Sequence, residues 1–481
     1  MTKYVIQKSV KGITSDSRKV QPGSLFLAYP GDATDGRAYI DDAIKNGAVA
    51  ILWESDSFSW KPSWKVENAP IVNLRQQAGR IADQFYKKPS QKLWTIGVTG
   101  TNGKTSITQW LSQCFNDLAR KTAVIGTLGN GLPNALTETQ NTTPDAIALQ
   151  AMLADFVKEK AEIVAMEVSS HGLDQGRVNG VHFDVAVLSN LTRDHMDYHG
   201  SIEKYAAAKR RLFHVSDLKL AVLNVDDAFG KEIAQELIKL GVATMTYGIG
   251  AGDVRASKVR FNHTGFEFLV TTPYGQAPIK ANLLGQFNVY NVLAVLATLL
   301  VSKVSLADAV EAISHIESVA GRMQQLGGGD VPLVVVDYAH TPDALENVLK
   351  TLRHQIQIQT NAKLICVFGC GGNRDAGKRL LMGGVASNYA DAVVLTSDNP
   401  RKENPLQIIQ DVLEGMHGKY AVEEDRAKAI AIAIANAKPG DTVLIAGKGH
   451  ETYQDIAGEK QHFSDLEHAQ KALKRYAGVI L

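Results

Sequence analysis

Leu93-Trp94-Thr95-Ile96-Gly97-Val98-Thr99-Gly100-Thr101-Asn102-Gly103-Lys104-Thr105 is the stretch on which the fold turns. Leu93–Val98 reads as a strand, the glycines after it as a turn, and a helix opens at about Lys104. Ile107, Leu111, Cys114 and Leu118 recur at helical spacing and share one face. A glycine-rich turn lets backbone amides point at an anion, and the helix N-terminus behind it adds positive potential. Lys104 is then placed to reach β- and γ-phosphates, and Thr105 to ligate Mg²⁺. The generic pattern G-x-x-x-x-G-K-[ST] asks for glycine where Val98 stands, with Gly97 one position early. ATP binding at Gly100, Thr101, Asn102, Gly103, Lys104, Thr105 and Ser106 is the favoured reading over a strand–helix turn with an exposed lysine.

Outward from this unit, Glu162–Val168, Phe183–Leu188 and Leu220–Val225 are short, valine-rich and apolar at most positions. Strands covered on both faces of a mostly parallel sheet look like this. A region starting near Gly321 carries four more strand candidates: Leu333–Val336, Leu364–Phe368, Ala392–Thr396 and Thr442–Ala446. Each runs into a polar or glycine-rich segment, Asp337–His340, Gly369–Asp375, Ser397–Arg401 and Gly447–Glu451. Ligands of open α/β sheets bind beyond the carboxyl ends of strands. Before the loop, Ser24–Ala28, Ala48–Trp53 and Pro70–Leu74 read as short strands, and Tyr86–Gln91, which contains Pro89, as a linker. The expected class is α/β, with two successive α/β domains (91–320 and 321–481) after a smaller mixed one (1–90).

Length agrees: 481 residues at roughly 150 per domain suggest about three. A formal net charge of +1 argues against a general nucleic-acid binder, which carries a basic excess. With 45% hydrophobic residues the composition excludes disordered, collagenous and fibrous classes. Cys114, Cys366 and Cys370 are too few and scattered for a disulfide framework and fit a reducing compartment. Met1–Val10 has no apolar run suited to a signal peptide. The longest apolar stretch, Val289–Val301, is interrupted by Tyr290, Asn291 and Thr298 and falls short of the roughly 20 residues that span a bilayer. A soluble cytoplasmic protein with neither nucleic-acid nor membrane partner is expected.

Glu167 closes one of the buried-looking strands, and a carboxylate there is well placed to hold Mg²⁺, a hard cation that prefers oxygen. Thr192–Asp197, with His195, follows the next strand. Read alone, His195, His171, His199 and His214 are more often structural hydrogen-bonding groups, and Lys209 a solvated helix lysine. No His/Cys cluster has zinc spacing, and Cys366 and Cys370 read as packed thiols. No G-x-S-x-G elbow supports a serine hydrolase.

Together these segments resemble the Mur ligases, ATP-dependent amide-bond-forming enzymes of peptidoglycan precursor synthesis. The segments run in the family's order over nearly the whole chain, and Gly97-Val98-Thr99-Gly100 looks like its own lead-in to the loop. The resemblance implies an N-terminal UDP-sugar domain, a central P-loop ATPase-like domain and a C-terminal Rossmann-like domain receiving the amino acid. It implies an enzyme that activates a carboxylate with ATP through an acyl phosphate; a monomer is expected, although the sequence itself does not reveal the oligomeric state. Lys104, Glu167, His195 and Lys209 match catalytic positions. Thr105, Glu167 and His195 match magnesium ligands, and Lys209 matches a lysine carried as a carbamate formed with CO₂. Asn288, Asn291, Arg322, Asp337 and His340 match further ATP contacts. Ser15, Ser17, Asp32, Ala33 and Thr34 align with the uridine-nucleotide site, and Asn141, Thr142, Thr143, Ser169, Gln175 and Arg177 with the sugar-peptide site.

The resemblance also implies the substrates. Asp398-Asn399-Pro400-Arg401 resembles a motif for meso-diaminopimelate, added to UDP-N-acetylmuramoyl-L-Ala-D-Glu. Diaminopimelate carries a second carboxylate that a guanidinium grips bidentately, whereas lysine offers an ammonium that Arg401 would repel. Arg374, Gly447 and Glu451 match further contacts of that amino acid. The alternatives are a lysine-adding, dipeptide-adding or folylpolyglutamate-forming ligase of the same superfamily, a P-loop ATPase switch, and a nucleotide-binding module without catalysis.

Overall fold

The structure is a computed structural model that describes residues 9–32, 34–139, 141–262, 265–356 and 361–478. It divides into two compact units, Met1–Arg255 with Thr272–Gly275 and Tyr290–Ala312, and Ala256–Thr271 with Gln276–Val289 and Ile313–Leu481.

The first unit opens with four parallel strands in chain order, β1 (Gly12–Thr14), β2 (Ser24–Ala28), β3 (Ala48–Glu54) and β4 (Glu67–Ile71). The strand expected at Pro70–Leu74 begins earlier, at Glu67, and Leu74 instead opens the helix Leu74–Phe85. The cause is local. Asn73 takes a left-handed φ of 55°, and the Glu54 carboxylate accepts from Asn73 N at 3.1 Å and Leu74 N at 2.7 Å. Two helix-start amides are satisfied from a neighbouring strand, which ends the extended run.

The second sheet of this unit is built from β5 (Trp94–Thr99), β6 (Thr122–Gly126), β7 (Gly129–Gly131), β8 (Ile163–Glu167), β9 (Val185–Leu188), β10 (Leu220–Asn224) and β11 (Ala243–Ile249). Their order is β11-β10-β9-β5-β8-β6-β7, all parallel except β7. β8 and β9 are buried along their whole length, as their valine-rich sequences require. The helix Ala146–Lys158 packs Leu149, Leu153 and Phe156 with Val164 and Met166 in one cluster. Each such side chain contributes about 1.5–3 kcal/mol when fully buried. From β5 the chain moves to one side of the sheet, and from β9 to the other. Their carboxyl ends form the switch-point crevice in which open α/β sheets bind ligands.

Three strands follow in the chain, β12 (Val254–Phe261), β13 (Phe266–Thr272) and β14 (Gly275–Ala281). The second unit then contains β15 (Gln324–Gly327), β16 (Leu333–Asp337), β17 (Leu364–Phe368), β18 (Ala392–Leu395), β19 (Tyr420–Val422) and β20 (Thr442–Ala446), in the order β15-β16-β20-β17-β18-β19. Only β15 is antiparallel. Helices cover both faces. Leu345, Leu349 and Met382 lie in one cluster with Cys366 and Phe368, and Ile430, Ile434 and Ala469 in another with Val367 and Ile445. A final hairpin, β21 (Tyr453–Ile456) and β22 (Glu459–His462), stands apart from the sheet.

Arg426 and Asp465 open the two helices of the second face, Arg426–Asn436 and Asp465–Tyr476, and form a pair at zero exposure. The guanidinium grips both carboxylate oxygens at 2.7 Å and donates to Ala446 O at 2.9 Å, at the end of β20. Cys366 and Cys370 are buried free thiols pushed up to about 12 by burial, as packed side chains rather than reactive ones are.

Candidate active site

The loop after β5 is braced from β9. Asn190 accepts from Thr101 N at 2.9 Å through its carbonyl and from Asn102 N at 3.0 Å through its side chain. Gly100 has a φ of +147°, and a Cβ there would stand 1.9 Å from Ser189 Oγ. A Cβ on Gly103 would stand 2.4 Å from Asn291 Oδ1, so the expected ATP residue Asn291 lies against the loop. Both glycines are steric necessities of this approach. The helix Lys104–Asp117 starts immediately behind, so its N-terminal end adjoins the loop.

Two lysines converge on one carbonyl. Lys104 Nζ donates to Gly100 O at 2.9 Å and Thr101 O at 2.8 Å, and Lys209 Nζ donates to Gly100 O at 2.7 Å. Lys209 is buried and stands 4.4 Å from the Tyr205 ring. Burial, and then the Lys104 cation, hold its amine well below the usual lysine range against the opposing pull of Asp194.

Glu167 ends β8 at 1% exposure, with its oxygens occupied by threonines. Thr105 Oγ1 donates to Oε2 at 3.0 Å, Thr127 Oγ1 to the same oxygen at 3.2 Å, and Thr127 N to Oε1 at 2.7 Å. Thr127 Oγ1 also hydrogen-bonds Thr142 Oγ1 at 3.1 Å, and Thr143 Oγ1 donates to Glu167 O at 2.8 Å. The expected phosphate and sugar-peptide residues thus meet at one carboxylate. Thr127 was not legible in the sequence: it leaves β6, and only the sheet order brings it beside β8.

Among the described residues no three His, Cys, Asp or Glu side chains cluster closely enough to hold a metal by themselves. One carboxylate and one hydroxyl nonetheless suit Mg²⁺, which usually takes one or two protein carboxylates, substrate phosphates and water. His195 has a left-handed φ of 55° and stands in a ring cluster, 4.8 Å from His171 and 6.1 Å from Tyr205 between centroids.

The remaining residues of the first unit are linked as follows. Asp32 accepts both Arg75 nitrogens, at 2.7 and 2.9 Å, and Gln175 Nε2 at 2.8 Å. Arg177 donates to Gln175 Oε1 at 2.8 Å and Thr143 O at 2.7 Å, which ties that carboxylate to the sugar-peptide segment. Ser169 caps its helix through Gly172 N at 3.0 Å. Ser17 is buried and accepts Asn46 through its carbonyl, Ser15 bonds Tyr29, Thr34 and Asn141 are exposed, and Ala33 lies outside the described residues.

In the second unit the four strand ends each place chemistry. Asp337 accepts from Met323 N and Ala339 N, both at 2.8 Å, and burial raises its carboxyl despite Arg322. Arg322 stands 5.1 Å from the Tyr338 ring, which is 4.6 Å from His340 and 5.3 Å from His450. Arg322 Nε and His450 Nδ1 are buried and take no hydrogen-bond partner among the described residues. Asn288 is buried and donates to Leu284 O at 2.8 Å.

Arg401 has a left-handed φ of 53° and donates through Nη1 to Gly372 O at 2.7 Å. Its backbone is fixed by the final hairpin: Arg401 N donates to Asp455 O at 2.9 Å, and Ala457 N to Arg401 O at 2.7 Å. Gln454 holds Asp398 O at 2.6 Å, and Asn399 Nδ2 donates to Glu451 Oε2 at 2.9 Å. A Cβ on Gly447 would stand 2.7 Å from Asp398 Oδ2. Asp398, Asn399, Pro400, Arg401, Gly447 and Glu451 therefore form one cluster, with exposed Arg374 on the neighbouring Gly369–Asp375 loop.

Three family descriptions match the chain in series: Mur ligase family, catalytic domain, over residues 9–86; Mur ligase middle domain over 98–299; and Mur ligase, glutamate ligase domain, over 321–449. The chain is 52% identical over 466 residues to the UDP-N-acetylmuramoyl-L-alanyl-D-glutamate–2,6-diaminopimelate ligase of Chromobacterium violaceum, covering 96% of this chain and 94% of that one. It is 50% identical over 463 residues to the enzyme of that name from Neisseria meningitidis serogroup A, covering 95% and 94%. A solved structure of a ligase with this name superposes with a TM-score of 0.73 at 37% identity, over 97% of this chain and 95% of the other. MurF from Acinetobacter baumannii, 20% identical with a TM-score of 0.65 over 98% and 95%, shares the fold.

Proposed function

We propose a reaction for this chain from one premise: the chain belongs to the Mur ligase family. It is an ATP-dependent ligase that joins 2,6-diaminopimelate to UDP-N-acetylmuramoyl-L-alanyl-D-glutamate. The observation that carries the residue assignment is the Glu167 network, in which Thr105 of the phosphate loop and Thr127, bonded to Thr142, share one carboxylate.

The chemistry brings two anions together. The peptide carboxylate attacks the γ-phosphorus of ATP, the bond to ADP breaks, and an acyl phosphate forms. The α-amine of diaminopimelate then attacks the acyl carbon, and the tetrahedral intermediate collapses to the amide and inorganic phosphate. Lys104 and the loop amides offset the charge repulsion of the first step, held in place beforehand by the contacts above. Thr105, Glu167 and His195 would hold Mg²⁺, which would supply further charge neutralisation to the phosphates. Asn288, Asn291, Arg322, Asp337 and His340 bind the rest of ATP; the buried, unsatisfied Arg322 Nε supports a phosphate contact. We propose further that the enzyme acts in the cytoplasm as a monomer. Among the described residues no helix is long and apolar enough to cross a membrane.

Lys209 suits carbamate formation because CO₂ adds only to a free amine, with loss of a proton. Its lowered pKa enlarges the free-amine fraction at neutral pH, and acidification through that depressed value protonates it. CO₂-depleted enzyme is therefore expected to lose about tenfold or more of its rate, and the loss should deepen as pH falls. Bicarbonate should restore it near pH 8, and ¹³C-bicarbonate should give a carbamate resonance absent from Lys209→Arg.

ADP release with the UDP-dipeptide plus diaminopimelate, lysine or neither tests the whole reading. Release with diaminopimelate alone is expected; equal release with lysine overturns the acceptor assignment. Arg401→Ala should raise KM for diaminopimelate about 10- to 100-fold, the worth of a hydrogen-bonded charge pair, with KM for ATP unchanged.

A further inference from the structure

Lys448 lies between Gly447 and Glu451 with its side chain fully buried. Its ammonium donates to Asn399 Oδ1 at 3.0 Å and Glu451 Oε2 at 2.8 Å, with the Tyr453 ring 5.5 Å away. Asn399 Nδ2 closes the triangle on Glu451 Oε2 at 2.9 Å, and Asp455 N donates to Asn399 Oδ1 at 3.0 Å. A buried ammonium is costly unless opposite charge and hydrogen bonds satisfy it, and here both hydrogen-bond acceptors, Asn399 and Glu451, belong to the amino-acid cluster.

The effect on those partners is geometric. With Oδ1 filled by two donors, the Asn399 amide is locked in the orientation that aims its N–H group at Glu451. With Oε2 filled by two donors, Glu451 is left presenting Oε1, which accepts no hydrogen bond from any described residue. We propose that Lys448 is the positioning residue of this site, fixing Asn399 and Glu451 so that one carboxylate oxygen meets the far ammonium of the diamino acid. This rests on the reading that the site takes diaminopimelate. On charge alone a cation beside the ligand's ammonium weakens binding, so removing it would tighten the complex. Positioning demands the opposite sign.

The test uses the full-length enzyme with ATP, the UDP-dipeptide and either diaminopimelate or 2-aminopimelate, which lacks the far amine. Lys448→Met is expected to raise KM for diaminopimelate about 10- to 100-fold with kcat within a few-fold and KM for ATP unchanged. The preference for diaminopimelate over 2-aminopimelate should shrink toward unity. Lys448→Gln, which keeps a donor, should recover part of that preference, and it carries the test where the methionine variant does not fold. A folded variant that keeps the wild-type preference, binds diaminopimelate more tightly, or weakens all three substrates in parallel overturns the proposal. Wild-type enzyme that does not prefer diaminopimelate overturns the substrate reading instead.

Discussion

Lys104→Met is expected to lower kcat/KM about 10²- to 10³-fold, the scale of removing one preorganised charge-stabilising donor. The ammonium is fixed at the mouth of the loop by two backbone carbonyls, so its position is set before any phosphate arrives. A second loss adds to the first. After burial, the Lys104 cation is the second cause of the lowered Lys209 pKa, so without it the depression is smaller and less free amine is offered to CO₂. Lys104→Arg keeps the charge, so it should preserve the shift at Lys209 while still losing rate through the altered head group. Steady-state ADP release, with and without bicarbonate, separates the two contributions. A methionine variant with near wild-type rate would remove Lys104 from the mechanism.

Arg426→Met carries the largest expected effect on stability, about 3–5 kcal/mol, because it strands the Asp465 carboxylate without its partner. Denaturant unfolding of the second unit's transition measures it. Arg426→Met combined with Asp465→Leu should recover much of the loss, since replacing both charges removes the uncompensated one. Activity should fall with the single variant even where it stays folded. The guanidinium holds Ala446 O, the residue immediately before Gly447, so the start of the Gly447–Glu451 segment moves with it.

What the sequence disclosed follows from what is local. The strand–loop–helix around Gly100–Lys104 is set by residues within about a dozen positions, and the four C-terminal strand ends stand where valine-rich runs give way to polar ones. The offset of β4 was not legible because the Glu54 carboxylate that turns the chain at Asn73 belongs to another strand. The same holds for Thr127, which reaches Glu167 only through sheet order, and for Asp32, whose partners Arg75 and Gln175 lie 43 and 143 positions away. Lys448 lay within a segment already singled out, but nothing in its spacing distinguishes a fully buried cation from a solvated one.

The left-handed backbone of Arg401, clasped by the terminal hairpin, bears on attempts to re-engineer acceptor choice. Transplanting four letters, Asp-Asn-Pro-Arg, into a relative that uses a different amino acid would move the guanidinium without the β-ribbon that aims it. A successful graft has to carry both segments, although about fifty residues of chain separate them.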